Sequence, residues 1–536
     1  MRDRQWLRVW AREWSGPGAP AVLPWLRTPA IALFILAICL PYILVEIPPL
    51  IDMPGHMGAA AIEAAHPESP LKEYFSWSWL FTLNMGGEVL MKLLAAPMGV
   101  IGAGWWATVL ATGLLAFGCL AVIRVLNPRG GHGAAWALVF VFSFPLLTGF
   151  LNYILATGLA LSAFAGAVWY ENQPKKRAAL LIAVQPVALL CHAIGGILLP
   201  LLVFMYEAGK LIEERVKSPK AIFNRLFIAS WPLAMTLLTI ILWQLMSAGQ
   251  GAKGGLKWRW AQKMWSFVLN LRDQSMALDI ATTVACAAIV LLGTFLGARW
   301  TWRRALPPLA VFVLFVVIPS DIQGSALVDI RLLPVAFMLA LGLQDWSGAR
   351  PGRARAIALT GLAVLAVRLA AIGSGFLDYK EDYARQLAAV KHVEPGSRVL
   401  VFVQHSCMQE SWRNTRRDHI ASLASIYREA WVNDNWAVPG LHMLKTNFRP
   451  ARYFSADPSE FVWSKGCGNG RLRSVDGALK RAPVDKVDYL WLIDTGLPKK
   501  LDTRLSLVWQ EGDSLLFAVN HLGLPKEGFP RQGHTE

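Results

Sequence analysis

The segment Ile51-Asp-Met-Pro-Gly-His56 sets a carboxylate, Asp52, and an imidazole, His56, four residues apart, directly after an apolar run. Pro48 and Pro49 end that run, because proline cannot continue the helical ladder. Glu63, His66, Glu68 and Glu73 follow within the same polar stretch. A first outward loop that gathers acids and histidines beside a membrane helix is a place for chemistry or binding. Asp52 and His56 also have the i, i+4 spacing of two metal ligands on one helical face, so a divalent metal stays open. Pro54 and Gly55 between them argue against a regular helix there.

Other candidates recur at the ends of apolar runs. His192 opens His192-Ala-Ile-Gly-Gly196 and reads either as a buried, hydrogen-bonded histidine or as a phosphate or substrate contact. Lys257 lies in a loop with Arg259, Lys263, Trp258 and Trp260. Attraction to anionic lipid phosphates and amphipathic packing on the membrane surface explain that loop equally well. Asp329 and Arg331 close the stretch Ser320–Arg331; they either neutralise each other or serve a site. Arg368 sits inside the last apolar run, where an ionisable residue is costly and marks function unless it snorkels to the headgroups. The aromatic run Tyr74-Phe-Ser-Trp-Ser-Trp79 fits an interfacial belt or a sugar-stacking surface.

The elements that position these residues are membrane helices. The chain has 536 residues, 55% hydrophobic and 16% charged, with a mean hydropathy of +0.40; this is the membrane class. The net charge of +16 is scattered over short turns rather than gathered in one patch, which argues against a nucleic-acid partner. Eleven apolar runs, from Ala30–Glu46 to Ala356–Phe376, read as spans. Glu88–Ala103, interrupted by Lys92 and Pro97, reads as an interfacial or re-entrant helix. Lys and Arg are then about two-and-a-half times commoner in the inner segments, as the positive-inside rule requires. Arg2, Arg4, Arg8 and Arg12 precede a run without a small-residue cleavage site, so a retained anchor is expected. The expected organisation is an inner basic flank over 1–27, a membrane domain over 28–376 with an outer loop at 47–103, and an outer α/β domain over 377–536. Strands are expected at Ser397–Val403 and Val487–Ile493, with a hairpin around Glu511-Gly-Asp-Ser514. Cys39, Cys119, Cys191 and Cys286 lie in apolar runs as packing residues. Cys407 and Cys467, alone in the outer domain, are expected to pair. No P-loop, GxSxG or dinucleotide fingerprint supports soluble nucleotide chemistry.

The order of these features resembles the GT-C superfamily of membrane glycosyltransferases. The likeness is to bacterial members with an Asp-x-Pro-x-His loop, a Gly-Phe-x-Asn-Tyr turn and an Asp-x-Arg loop. Here those motifs are Asp52–His56, Gly149–Tyr153 and Asp329–Arg331, and the resemblance covers most of 28–375. Where many such enzymes pair two acids in the first loop, Asp52 has Met53 beside it, which leaves a lone base or a relict site. The resemblance implies a polytopic α-helical fold and sugar transfer from a polyprenyl-phosphate donor to an extracytoplasmic acceptor in a bacterial inner membrane. Asp52 would be the base, with His56 orienting it or touching phosphate. Arg331, then His192, Lys257 and Arg368, would contact phosphate. Lipid or glycan transport and a silent assembly subunit are the competing classes. Transporters often carry internal repeats, and none is found in the sequence.

Overall fold

The computed structural model describes residues 22–79, 81–246, 255–322, 325–407, 410–437, 442–464, 466–467 and 473–521. Most of the basic N-terminal flank, with Arg2, Arg4, Arg8 and Arg12, lies outside the described residues.

The eleven apolar runs fold mainly into helix. Among the described residues, five helical stretches are long and apolar enough to cross a membrane: Gly86–Leu126, Leu151–Trp169, Ala193–Glu213, Pro219–Met246 and Pro351–His392. Shorter apolar helices at Thr28–Leu44, Ala134–Thr148, Met276–Leu292 and Leu332–Leu343 pack among them. The Gly86–Leu126 stretch is broken at Gly99, whose φ of +70° leaves the helical region. The break falls inside the segment read as interfacial, two residues after Pro97.

Residues Met53–Ala64 of the outer loop form a regular helix, against the expectation drawn from Pro54 and Gly55. Pro54 occupies the first turn, where its missing N–H has no partner to lose, and Ala59, Ala60 and Ala61 favour helix behind it. Met53, Met57 and Ile62 are fully buried, each contributing about 1.5–3 kcal/mol of apolar burial. One side of this helix packs on the Gly86–Leu126 stretch and another on the helical turns Ile420–Tyr427 of the C-terminal domain.

The C-terminal domain is built on a mixed sheet. Arg398–His405 pairs in parallel with Trp431–Val432, Phe461–Trp463 and Tyr489–Ile493. The hairpin Leu505–Glu511/Ser514–Val519 extends it antiparallel through Tyr489–Ile493. A continuous helix and a strand ladder both tie this domain to the membrane part. The helix Pro351–Leu387 runs unbroken across the expected boundary at 376–377. The outer-loop strand Phe75–Trp77 pairs antiparallel with Leu444–Thr446. The catalytic-loop candidates and the C-terminal domain therefore share one packed body.

Candidate functional site

Asp52 is fixed by the backbone around it. Its N–H donates to the Thr148 carbonyl at 2.8 Å, and its own carbonyl accepts from the His56 N–H at 3.0 Å. Gly149 lies against it with φ of +96°, and a Cβ there would stand 2.9 Å from the Asp52 nitrogen. Only glycine combines that conformation with that approach. The same turn reaches two other parts of the site. Asn152 donates to Glu88 Oε2 at 3.0 Å and to the Asn84 carbonyl at 3.3 Å. The Tyr153 hydroxyl donates to the Arg331 carbonyl at 2.6 Å. Arg331 in turn donates to His192 Nε2 at 2.7 Å and stacks over Phe150 at 3.9 Å. The three short motifs thus meet in space, and His192 joins them.

The other wall comes from the C-terminal domain. His419 Nε2 stands 3.8 Å from Asp52 Oδ1 and 4.0 Å from Asp457 Oδ1. Its Nδ1 lies 2.9 Å from the Asp434 carbonyl, which can only accept; the ring therefore carries its Nδ1 proton there and aims Nε2 at the acids. The Asp434 carboxylate accepts from the Ser422 N–H and hydroxyl, both at 2.8 Å. Asp457 and Glu460 are placed by main-chain bonds, Asp457 N–H to Asn435 O at 3.1 Å and Val403 N–H to Glu460 O at 2.9 Å. Trp436 wedges between His56 and His419, with ring centroids 4.9 and 4.6 Å away.

The charges shape one another. Burial pushes the Asp52 carboxyl up to about 7; His419 and Arg331 pull against that shift, and Asp457 and Asp418 add to it. Burial opposes a charged His419, but Asp457, Asp52, Asp434 and Asp418 together hold its pKa above the ordinary histidine value. Burial, with His419 and His442 nearby, drives His56 down to about 4, so His56 is neutral at physiological pH. A carboxyl raised towards neutrality beside an imidazole is the electrostatic setting of a general base.

The remaining candidates lie elsewhere. Asp329 is fully buried and pairs with Lys263 at 2.8 Å and with the Ser320 hydroxyl at 2.6 Å, not with Arg331. Residues two apart do not face each other in a helical turn. Arg368 does not snorkel: it is buried against Asp279, and Trp412 donates to the same carboxylate at 2.8 Å. Lys257 is exposed on a two-residue ladder with Asp321, apart from the Asp52 cluster. Cys407 and Cys467 are joined as a disulfide, with Cα atoms 5.6 Å apart. The 60-residue separation they close contains His419, Asp434, Asp457 and Glu460. Sequence reasoning missed those four; the only local signal was the acid spacing in Asp457-Pro-Ser-Glu460.

No family model and no curated protein matches the sequence. Among solved structures, the crystal structure of ArnT from Cupriavidus metallidurans bound to undecaprenyl phosphate aligns over 93% of this chain and 100% of that one, with a TM-score of 0.50 at 12% identity. The same protein in the apo state aligns at 0.49 and 13%, over 91% and 96%. Arabinofuranosyltransferase AftD from Mycobacteria aligns at 0.47 and 18%, over 92% of this chain and 40% of its own. The chain shares the fold of the ArnT structure. At such identities the likeness is one of fold, a multi-pass helical membrane body with a C-terminal domain that contains strands. A cleft opens beside His56, four residues from Asp52, lined by Trp77, Trp79, Trp436, His442, Glu63 and Lys92. Lys92 pairs with Glu63 at 2.5 Å and lies 4.7 Å over the Trp79 ring. Two tryptophans of the aromatic run, Trp77 and Trp79, therefore line this cleft.

Proposed function

We propose that the chain is a membrane glycosyltransferase that moves a sugar from a polyprenyl-phosphate donor to an extracytoplasmic acceptor. The observation that carries this reading is the convergence of Asp52, with its raised carboxyl, on the Arg331–His192 pair within a GT-C fold. The ArnT crystal structure bound to undecaprenyl phosphate supports the donor class.

In this mechanism the acceptor lies in the aromatic cleft, its ring faces against tryptophan, and Asp52 takes the proton of its hydroxyl. The freed oxygen forms a bond to the anomeric carbon. The bond from that carbon to the phosphate oxygen breaks, and polyprenyl phosphate leaves with the electron pair. Arg331 balances the charge on the leaving group. A guanidinium has five N–H groups; three serve His192, Ala326 O and Leu327 O, and among the described residues two are left for phosphate. Charge-assisted contacts of this kind are short and directional. His56, neutral and tilted against the Trp436 ring, orients the wall of the site rather than carrying a proton.

The test compares lipid-linked glycans in cells with and without the protein, then assays sugar transfer in proteoliposomes. Loss of a glycan product in the deletion strain, restored by the parent chain, is expected. Unchanged glycans together with no transfer in vitro would reject the reading and favour transport or a silent subunit.

A further inference from the structure

Glu460 is completely buried, and apart from the neighbouring Asp457 carboxyl its carboxylate oxygens have no hydrogen-bond partner among the described residues. A carboxyl buried among other acids is costly to ionise unless a proton or a cation compensates it. Its neighbours make the cost larger. One ligand atom each from Glu460, Asp457 and His419 falls within a common span of 4.8 Å. Asp434 lies alongside, and Asp52 faces the same imidazole at 3.8 Å. Asp52, Asp434, Asp457 and Glu460 thus gather around one histidine.

We infer that His419 Nε2, Asp457 and Glu460 bind a divalent first-row transition metal, Mn²⁺ or Zn²⁺ in class. Three features support it. The donor atoms sit at the right scale, since ligands about 2.1 Å from one ion lie roughly 3–4 Å from each other, and His419 Nε2 is 4.0 Å from Asp457. The second ring nitrogen of His419 is held by the Asp434 carbonyl at 2.9 Å, the outer-shell contact that fixes the tautomer of a metal-binding histidine. One imidazole with two carboxylates suits a transition metal better than the all-oxygen shell of calcium or magnesium. A second cluster among the described residues, Cys407, Cys467 and Glu410, is closed to metal because its sulfurs are bonded to each other.

Three protein ligands leave coordination positions open towards Asp52. Under the glycosyltransferase reading, on which this last step alone rests, those positions would take oxygens of the donor phosphate or of the acceptor.

The experiment uses the full chain, purified in detergent and stripped with a chelator. MnCl₂ is added and followed by electron paramagnetic resonance, with ZnCl₂ as competitor. One Mn²⁺ per chain is expected, with nitrogen modulation from a single imidazole and displacement by Zn²⁺. Glu460→Gln and His419→Gln are expected to weaken binding at least about tenfold, the loss that even outer-shell changes produce, and Glu410→Gln is expected to leave it unchanged. If the parent chain binds neither ion at millimolar concentration, or binds Mn²⁺ without a nitrogen ligand, the inference fails. The parent measurement decides the matter even where a variant does not fold. A metal-loaded chain that transfers no sugar would sink the functional reading and leave the site standing.

Discussion

His419 Nε2 faces the Asp52 carboxylate across 3.8 Å, bringing the loop that carries Asp52 against the C-terminal domain. Asp52 lies on a backbone held by Thr148 and Gly149, and His419 on one held by Asp434. Neither residue reaches the other by a flexible tether.

Asp52→Asn is expected to fold like the parent and to lose transfer by about 10²–10⁴-fold, the contribution of a general base. The amide keeps the shape and cannot accept the proton. Complementation of a deletion strain at matched expression measures it, and full complementation would remove Asp52 from the mechanism.

For Arg331 the expected effect lies in donor binding. A charge-assisted hydrogen bond contributes about 1.5–3 kcal/mol, so Arg331→Ala should raise the donor KM by about 10- to 100-fold. Arg331→Lys should recover only part, because a point charge lacks the two-pronged geometry. Steady-state kinetics in proteoliposomes with varied donor would expose a change in kcat alone, which would contradict a phosphate contact.

Gly58 tests the seam between the outer loop and the C-terminal domain. A Cβ there would stand 2.7 Å from Ser422 Cβ and 2.9 Å from the Ser422 carbonyl. Overpacking of this kind costs about 1–3 kcal/mol, so Gly58→Ala should lower the thermal midpoint and reduce transfer together. Gly352→Ala, whose Cβ meets nothing within 4 Å, is the control and should do neither. An unchanged midpoint for Gly58→Ala would mean the seam is loose.

The disulfide gives the last prediction. Closing a segment of 60 residues constrains the unfolded chain, worth about 4 kcal/mol in the chain-entropy account. The paired change Cys407→Ser and Cys467→Ser should make the segment with His419 and Asp457 the first to yield to protease. Transfer should fall while the membrane helices stay folded by circular dichroism. Equal protease resistance with and without reductant would refute it.

Much of the fold was legible because it rests on local pattern. Apolar runs folded as helices, and the turn signal at Glu511-Gly-Asp-Ser514 folded as a hairpin. The three outer motifs were legible as separate pieces, and Asp52 was legible as a carboxylate anchored behind Pro48 and Pro49. What pairs with what was not. Arg368 finds Asp279 at a separation of 89 residues, and Lys263 finds Asp329 across helices, so charges that look unmatched in sequence are matched in space. His419, Asp457 and Glu460 escaped for the same reason: no local spacing reveals that a soluble-looking domain folds over a membrane loop.

That domain is held from two sides, by the unbroken helix Pro351–Leu387 and by the ladder between Phe75–Trp77 and Leu444–Thr446. A swing about one attachment would tear the other. The facing of Asp52 and His419 is therefore set when the chain folds, not when substrate arrives. The entropy of bringing the two halves together is lost once, during folding, and the binding energy of each incoming substrate stays available for the transition state.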